Sequence, residues 1–304
     1  MSPAKQAALT LYQAATGGWR KLAMRRLTAA NSAPVVVLFY HRIADTHPNG
    51  WTMPVEVFRL QLDWLAENFD LVSLSEAQRR LRDGSDKPSV AITFDDGYAD
   101  NCDTAIPLLL RRNVPFTYFV STRIVEEQLA FPHDLEAGVR LKPNSVPEIR
   151  AMAEAGVEIG AHTRTHVDMG RSTDLDWIRE ELVGSIEDIR HWTGKPPRYF
   201  AFPFGQPHQL TPEACEAAYQ AGIEGVCSAY GAYNLPNRVS SDHGPFHLRR
   251  VHADPEWARF TNWMTFDPRK LRRRDPIDDN KFLPELKAIQ ESETLPNKSG
   301  APVG

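Results

Sequence analysis

Two carboxylates stand side by side at Asp95 and Asp96, and two imidazoles stand four residues apart at His162 and His166. Consecutive side chains on a strand point to opposite faces, so one acid can bind a cation while the other points elsewhere. The histidine spacing brings both rings to one side of a helical turn, where they can grip one ion. Two histidines and one aspartate are three protein ligands. They leave positions open for water and substrate, as a catalytic metal needs and a structural one does not. Each half has an ordinary alternative. Asp-Asp-Gly is common turn chemistry, and a histidine pair at this spacing is often a solvated helix face. Finding both in one chain favours the metal site.

The elements that must position these residues alternate. Residues 90–94 read as a buried strand that delivers both aspartates at its carboxyl end, and Gly97 permits the turn that follows. Residues 34–40 form an earlier strand ending at His41 and Arg42. Between them lie an amphipathic helix carrying Phe58, Leu62, Leu65 and Phe69, and a short helix opened by a capping box at Ser75 and Gln78. A helix over 100–112, a strand over 114–121 and an irregular excursion over 122–146 follow, the last carrying His133 and Asp134. Pro147 opens a helix that stops at Gly156. Next come a strand ending at His162, a long helix over 174–192 closed by Gly194, and a strand running into Pro203. A helix capped by Thr211 and strands near 225–228 and 246–251 complete the series. About seven strand-helix repeats predict a parallel sheet closed into a (β/α)7-type barrel, with the chemistry at the strands' carboxyl ends.

In order along the chain, TFDDG (93–97), HTRTH (162–166) and FPFG (202–205) resemble the first three motifs of the polysaccharide deacetylases, carbohydrate esterase family 4, which share the NodB homology domain. The likeness spans about residues 34–254, and YHR at 40–42 resembles a branch acting in exopolysaccharide biosynthesis. The resemblance implies a deformed (β/α) barrel that removes acetyl groups from N-acetylated sugars. By motif, Asp96, His162 and His166 would hold a divalent metal, usually zinc, and Asp95 would be the general base. A bound divalent metal acidifies water to a pKa of about 7 and polarises the amide carbonyl, and the freed base takes the proton. A backbone amide near Phe204 would steady the oxyanion.

The chain departs from the family pattern in two places. The third motif commonly carries an arginine two residues before its proline, to orient the catalytic aspartate, and Ala201 stands there instead. Arg250, on the last strand, and Arg42 are the candidates to reach the same place. The family's general acid is a histidine in a Leu-x-His context, for which His252 in LRRVHAD is the nearest match and His41 the competitor. Trp51, Tyr98, Phe131 and Tyr230 could stack on sugar faces, and the small-residue tract 225–234 could shape a groove.

Bulk properties leave room for one large α/β domain over 31–260 between a helical extension, 1–30, and a polar tail, 261–304, read as poorly ordered from about 275. A net charge of −4 gives no reason to expect a nucleic-acid partner. Three cysteines without CxxC spacing suggest reduced thiols in a cytoplasmic protein, and no signal peptide or spanning segment is read. The basic N-terminal helix is expected to pack on the domain, its pattern broken at Gly17 and Gly18, with weak contact to a membrane surface through residues 3–30 as its other use. Hydrolysis of another amide, such as a cyclic one, and non-catalytic carbohydrate binding are the competing functions.

Overall fold

A computed structural model of the chain describes residues 2–236 and 245–271. Its strands, in chain order, are β1 (Val35–Tyr40), β2 (Arg42–Ile43), β3 (Thr52–Met53), β4 (Asp70–Val72), β5 (Ser89–Phe94), β6 (Phe116–Val120), β7 (Glu158–Ala161), β8 (Tyr199–Ala201), β9 (Gly225–Cys227), β10 (His247–Leu248) and β11 (Arg250–His252). β2 and β3 form a small ribbon. The others make one parallel sheet in the order β10-β9-β8-β7-β6-β5-β1-β11, with β4 joining the start of β5. β10 and β11 lie at opposite ends of that order but are separated in the chain by Arg249 alone. The two edges therefore meet, and the sheet is a nearly closed barrel. With the β10–β11 segment taken as one position, the ring has seven, as the repeat count predicts.

The period of two along each strand divides the core. Val35 and Val37 pack inside the barrel with Ala91, Phe119, Tyr199, Ala201, Cys227 and Leu248. Val36, Leu38 and Tyr40 pack outward with Ile92, Phe94 and Tyr118 beneath the helices. Because Ala91 is inward, Thr93 and Asp95 follow it inward. Arg250 pairs in register with the inward Val37. One alternation thus sends an acid and a base into the same interior.

The helices are α1 (Pro3–Ala29), α2 (Val55–Asn68), α3 (Leu74–Asp83), α4 (Asp100–Asp103), α5 (Ala105–Arg111), α6 (Thr122–Glu127), α7 (Pro132–Glu136), α8 (Val146–Glu154), α9 (Leu175–Ile178), α10 (Gly184–Thr193), α11 (Pro212–Gln220) and α12 (Trp257–Met264). Several details differ from the sequence expectations. The cap of α3 is Ser73, whose hydroxyl accepts from Glu76 N, and not Ser75. Gln78 is instead buried, donating to Glu224 O and Pro245 O and accepting from the Tyr199 hydroxyl. The helix expected over 100–112 breaks at Thr104, whose hydroxyl donates to Ile43 O while Asn101 holds Ile43 N and His41 O. The excursion over 122–146 contains two short helices, α6 and α7.

α1 continues through Gly17 and Gly18 because tertiary contacts override their low propensity. The buried Arg20 holds it to the end of α12, donating to Phe266 O, Asn262 O and Thr265 O. None of the described helices is long and apolar enough to cross a membrane. Cys102, Cys215 and Cys227 are free thiols. The tail expected from residue 275 lies outside the described residues.

His247, buried on β10 with Nε2 2.9 Å from Ser228 Oγ, titrates near 3 because burial and then Arg249 disfavour its charged form. Between pH 6.5 and 3 the unfolded chain therefore takes up a proton that the folded chain refuses, and stability falls as pH falls. Up to about 1.4 kcal/mol per pH unit is at stake from this group. Thermal melts from pH 7 to 4 should show a shallower acid loss for His247→Gln than for the wild type; equal slopes would assign the loss elsewhere.

Candidate active site

β5 ends by handing Asp95 and Asp96 to a turn in which Asp96 and Gly97 both have left-handed backbones, φ 75° and 93°. That reversal sends the two adjacent carboxylates to different partners. Asp95 faces Arg250, which reaches it with two parallel bonds, Nη1 to Oδ1 at 2.6 Å and Nη2 to Oδ2 at 2.7 Å. The guanidinium also donates to Ser228 O at 2.7 Å and Thr93 Oγ1 at 3.1 Å, and lies over the Phe39 ring at 4.7 Å. Arg250 thus supplies from β11 the guanidinium that Ala201 lacks. Arg42, the other candidate, is turned away to Asp100 at 2.9 Å and to the Thr46 carbonyl. Burial works to raise the Asp95 pKa, but the paired guanidinium outweighs it and holds the carboxyl below its ordinary value.

Asp96 faces the histidines. Its Oδ1 lies 3.4 Å from His162 Nε2 and 3.1 Å from His166 Nε2. His162 Nδ1 sits 2.7 Å from Ala201 O. A carbonyl only accepts, so the proton of the neutral ring is on Nδ1 and Nε2 presents a lone pair. Asp96 Oδ1 is buried with no hydrogen-bond partner. Three electron-pair donors, all within 4.8 Å of one another, converge on the floor of a pocket. Such a cluster is unfavourable without a positive charge among its members, and two imidazoles with one carboxylate are a donor set suited to a divalent ion of the zinc type.

The His162–His166 spacing works by a different route from the helical turn expected. Residues 162–168 are a loop in which Thr163 and His166 take left-handed φ of 59° and 56°. The loop is clamped from behind by a π-helical turn, Arg179–Val183, between α9 and α10. Glu181 O accepts Arg164 N, and the Glu181 carboxylate accepts Thr165 N at 3.0 Å and its hydroxyl at 2.8 Å. Arg164 grips Asp188 with two bonds of 2.9 Å. A Cβ on Gly184 would stand 2.5 Å from Arg164 Nε. Sequence reading missed Glu181, Gly184 and Asp188, because a π turn leaves the helical pattern intact.

An open cavity of about 310 Å³ lies over this floor, lined among others by Phe39, His41, Trp51, His133, Phe204 and His252. A larger cleft of about 590 Å³, with Arg150, Glu154, Lys195 and Arg198 on its walls, lies by the amino ends of β7 and β8 and holds none of the candidate residues. The rings of His41 and His252 are 5.8 Å apart, both against Phe39. Burial lowers the pKa of each: His41 despite the nearby Asp96 and Asp95, and His252 to about 4 with His41 and Arg259 adding to the effect. Of the aromatics considered for sugar stacking, Trp51 lines the cavity, whereas Tyr98, Phe131 and Tyr230 are buried. His133 enters the wall beside Trp51, its Nε2 2.9 Å from the Tyr98 hydroxyl.

A family model described as polysaccharide deacetylase matches residues 82–226, a stretch that contains both aspartates, the histidine loop and the FPFG turn. Over that stretch the chain is similar to the polysaccharide deacetylases, a likeness that supports a deacetylase-type hydrolase. YxkH of Bacillus subtilis (strain 168), named for this family, is 26% identical over 228 residues, 73% of this chain and 72% of that protein. A chitooligosaccharide deacetylase of Bradyrhizobium sp. (strain ANU 289) is 29% identical over 160 residues, 52% of this chain and 63% of that one. Among solved structures, IcaB from Ammonifex degensii shares the fold with a TM-score of 0.62 at 23% identity, over 77% of this chain and 98% of its own.

Two outcomes follow for this candidate site. Arg250→Met leaves a buried carboxylate unpaired and should cost about 3–5 kcal/mol in urea unfolding at pH 7. The deficit should narrow as pH falls toward 4, because without the guanidinium burial raises the Asp95 pKa and the variant's carboxyl takes up a proton, while the wild-type carboxyl stays ionised. Asp188→Ala, which touches no candidate ligand, should weaken divalent-ion binding about 10–100-fold by titration calorimetry. Unchanged affinity would show that Arg164 does not position the loop.

Proposed function

We propose that the chain removes N-acetyl groups from an N-acetylated sugar in a polysaccharide or its precursor, using zinc. The observation that carries this reading is the division of labour between two neighbouring acids: Asp95 held ionised by Arg250, Asp96 turned to two imidazoles. A protein that only bound carbohydrate would need neither a buried base nor its counter-ion.

When bound by Asp96, His162 and His166, the divalent ion supplies Lewis acidity toward the amide carbonyl and acidifies water. Asp95 takes the water proton as the nucleophile forms, a contribution of roughly 10²–10⁴-fold. Arg250 fixes the plane of that carboxylate, so its lone pairs aim at one place. The Phe204 backbone, at φ 61° beside the cavity, offers an amide to the developing oxyanion. The departing amine receives the proton that Asp95 took from water, relayed through His41 or His252, whose burial keeps each ring neutral and able to accept it first. The chitooligosaccharide relative supports an N-acetylated sugar as the substrate class, and a cavity open on one side admits a chain end or a polymer segment.

Acetate release from N-acetylglucosamine oligomers, measured alongside elemental analysis of bound metal, tests the assignment. Asp95→Asn should keep the metal and lose at least about 10²-fold in rate; full activity in that variant would refute the base. The alkaline limb of the pH-rate profile should disappear in only one of His41→Gln and His252→Gln, and that variant identifies the acid.

A further inference from the structure

We propose that the outer face of α1 is a docking surface for an anionic lipid bilayer. The helix is two-sided in a way its average composition hides. Its inner side is occupied: Arg20 is buried against α12, and Ala23, Met24 and Leu27 pack on the core. Gln13 donates to Ala258 O near the start of α12, and Arg20 binds its last carbonyls, so the two helices run side by side in the same direction.

The opposite side is exposed and apolar. Leu11, Ala15, Gly18 and Leu22 recur at spacings of four, three and four, which places them on one face. Leu11 is 71% exposed, and Trp19 and Leu22 are each 47% exposed. Isolated exposed leucines are ordinary on a protein surface, but a stripe with a tryptophan on one helix face is an interaction surface. Lys21, Arg25 and Arg26 are exposed around the stripe. α1 contains five basic residues and no acidic one, in a chain whose net charge is −4. Arg269 lies over the Trp19 ring at 5.0 Å, its charge paired with Asp267 at 3.0 Å, so the cations of this face are those of α1 itself.

Charge decides among the possible occupants. A second copy of this helix would bring the same cations together in either orientation. A nucleic-acid backbone would use the cations and leave Leu11 and Leu22 in water. An anionic bilayer satisfies both halves, taking the leucines and the indole into the headgroup boundary and the cations to its lipid charges.

The test uses the full chain and sedimentable vesicles of phosphatidylcholine, alone or mixed with phosphatidylglycerol. Binding to the mixed vesicles should exceed binding to the neutral ones at least about tenfold and weaken as salt rises. Leu11→Ser/Leu22→Ser and Lys21→Glu/Arg25→Glu should each abolish it, with circular dichroism and urea unfolding confirming that both variants remain folded. No binding of the folded wild type to anionic vesicles overturns the proposal. So does binding that survives both variants, or a soluble dimer that the leucine variant dissolves in a chain that ignores vesicles. Acetate release from soluble oligomers should be equal in wild type and both variants, so failure here leaves the deacetylase reading standing.

Discussion

The bidentate contact between Arg250 and Asp95 is the interaction on which the site depends. Both groups are buried, and separating either from water without the other would cost several kcal/mol. The barrel makes the contact possible because its strands alternate inward and outward. It makes the contact specific because the guanidinium has further fixed anchors in Ser228 O and Thr93 Oγ1. A carboxylate so held remains ionised in a place where burial alone would have neutralised it. A low pKa makes a weaker base in solution, yet an ionised base with a fixed direction loses nothing to reorientation during proton transfer.

The second organising constraint is backbone strain. Asp96, Thr163, His166 and Phe204 all have left-handed φ, although none is glycine. Each such residue costs of order 1–3 kcal/mol and persists only where its surroundings fix it. Here the surroundings are visible. The Glu181 and Asp188 carboxylates pin the histidine loop, and Gly205, where a Cβ would stand 2.4 Å from Ala229 N, lets the FPFG turn fold tightly against the bend that follows β9. Strain held in this way aims three ligand atoms at one point without requiring the ion to pull them there.

Much of this was legible in the sequence, because strand period and motif order are local properties. The ring of parallel strands, the placement of Asp95 and Asp96 at a strand end and the convergence of Asp96 with His162 and His166 all follow from patterns read along short windows. The histidines converge by a loop and not by the helical turn their spacing suggests, since four-residue separation fixes proximity but not conformation. Arg250 was recognisable only as one of two candidates. What separated it from Arg42 is register across the barrel, which pairs it with Val37 and sends it inward, and no local pattern encodes register between residues so far apart in the chain. The continuity of α1 through two glycines was hidden for a related reason, since the contacts of Arg20 come from residues 262–266.

Closure of the barrel has a temporal meaning as well. The strand that seals the gap is followed within one residue by the strand bearing the counter-ion of Asp95, so sealing and completion of the site are one event late in the chain. During synthesis, β5 with its two acids is made long before residue 250 leaves the ribosome. Over that interval Asp95 lacks its guanidinium partner and the sheet has two open edges. A chain cut short anywhere before β11 would therefore possess Asp96, His162 and His166 and still lack the partner of Asp95, so translation through residue 252 is a condition for the proposed chemistry.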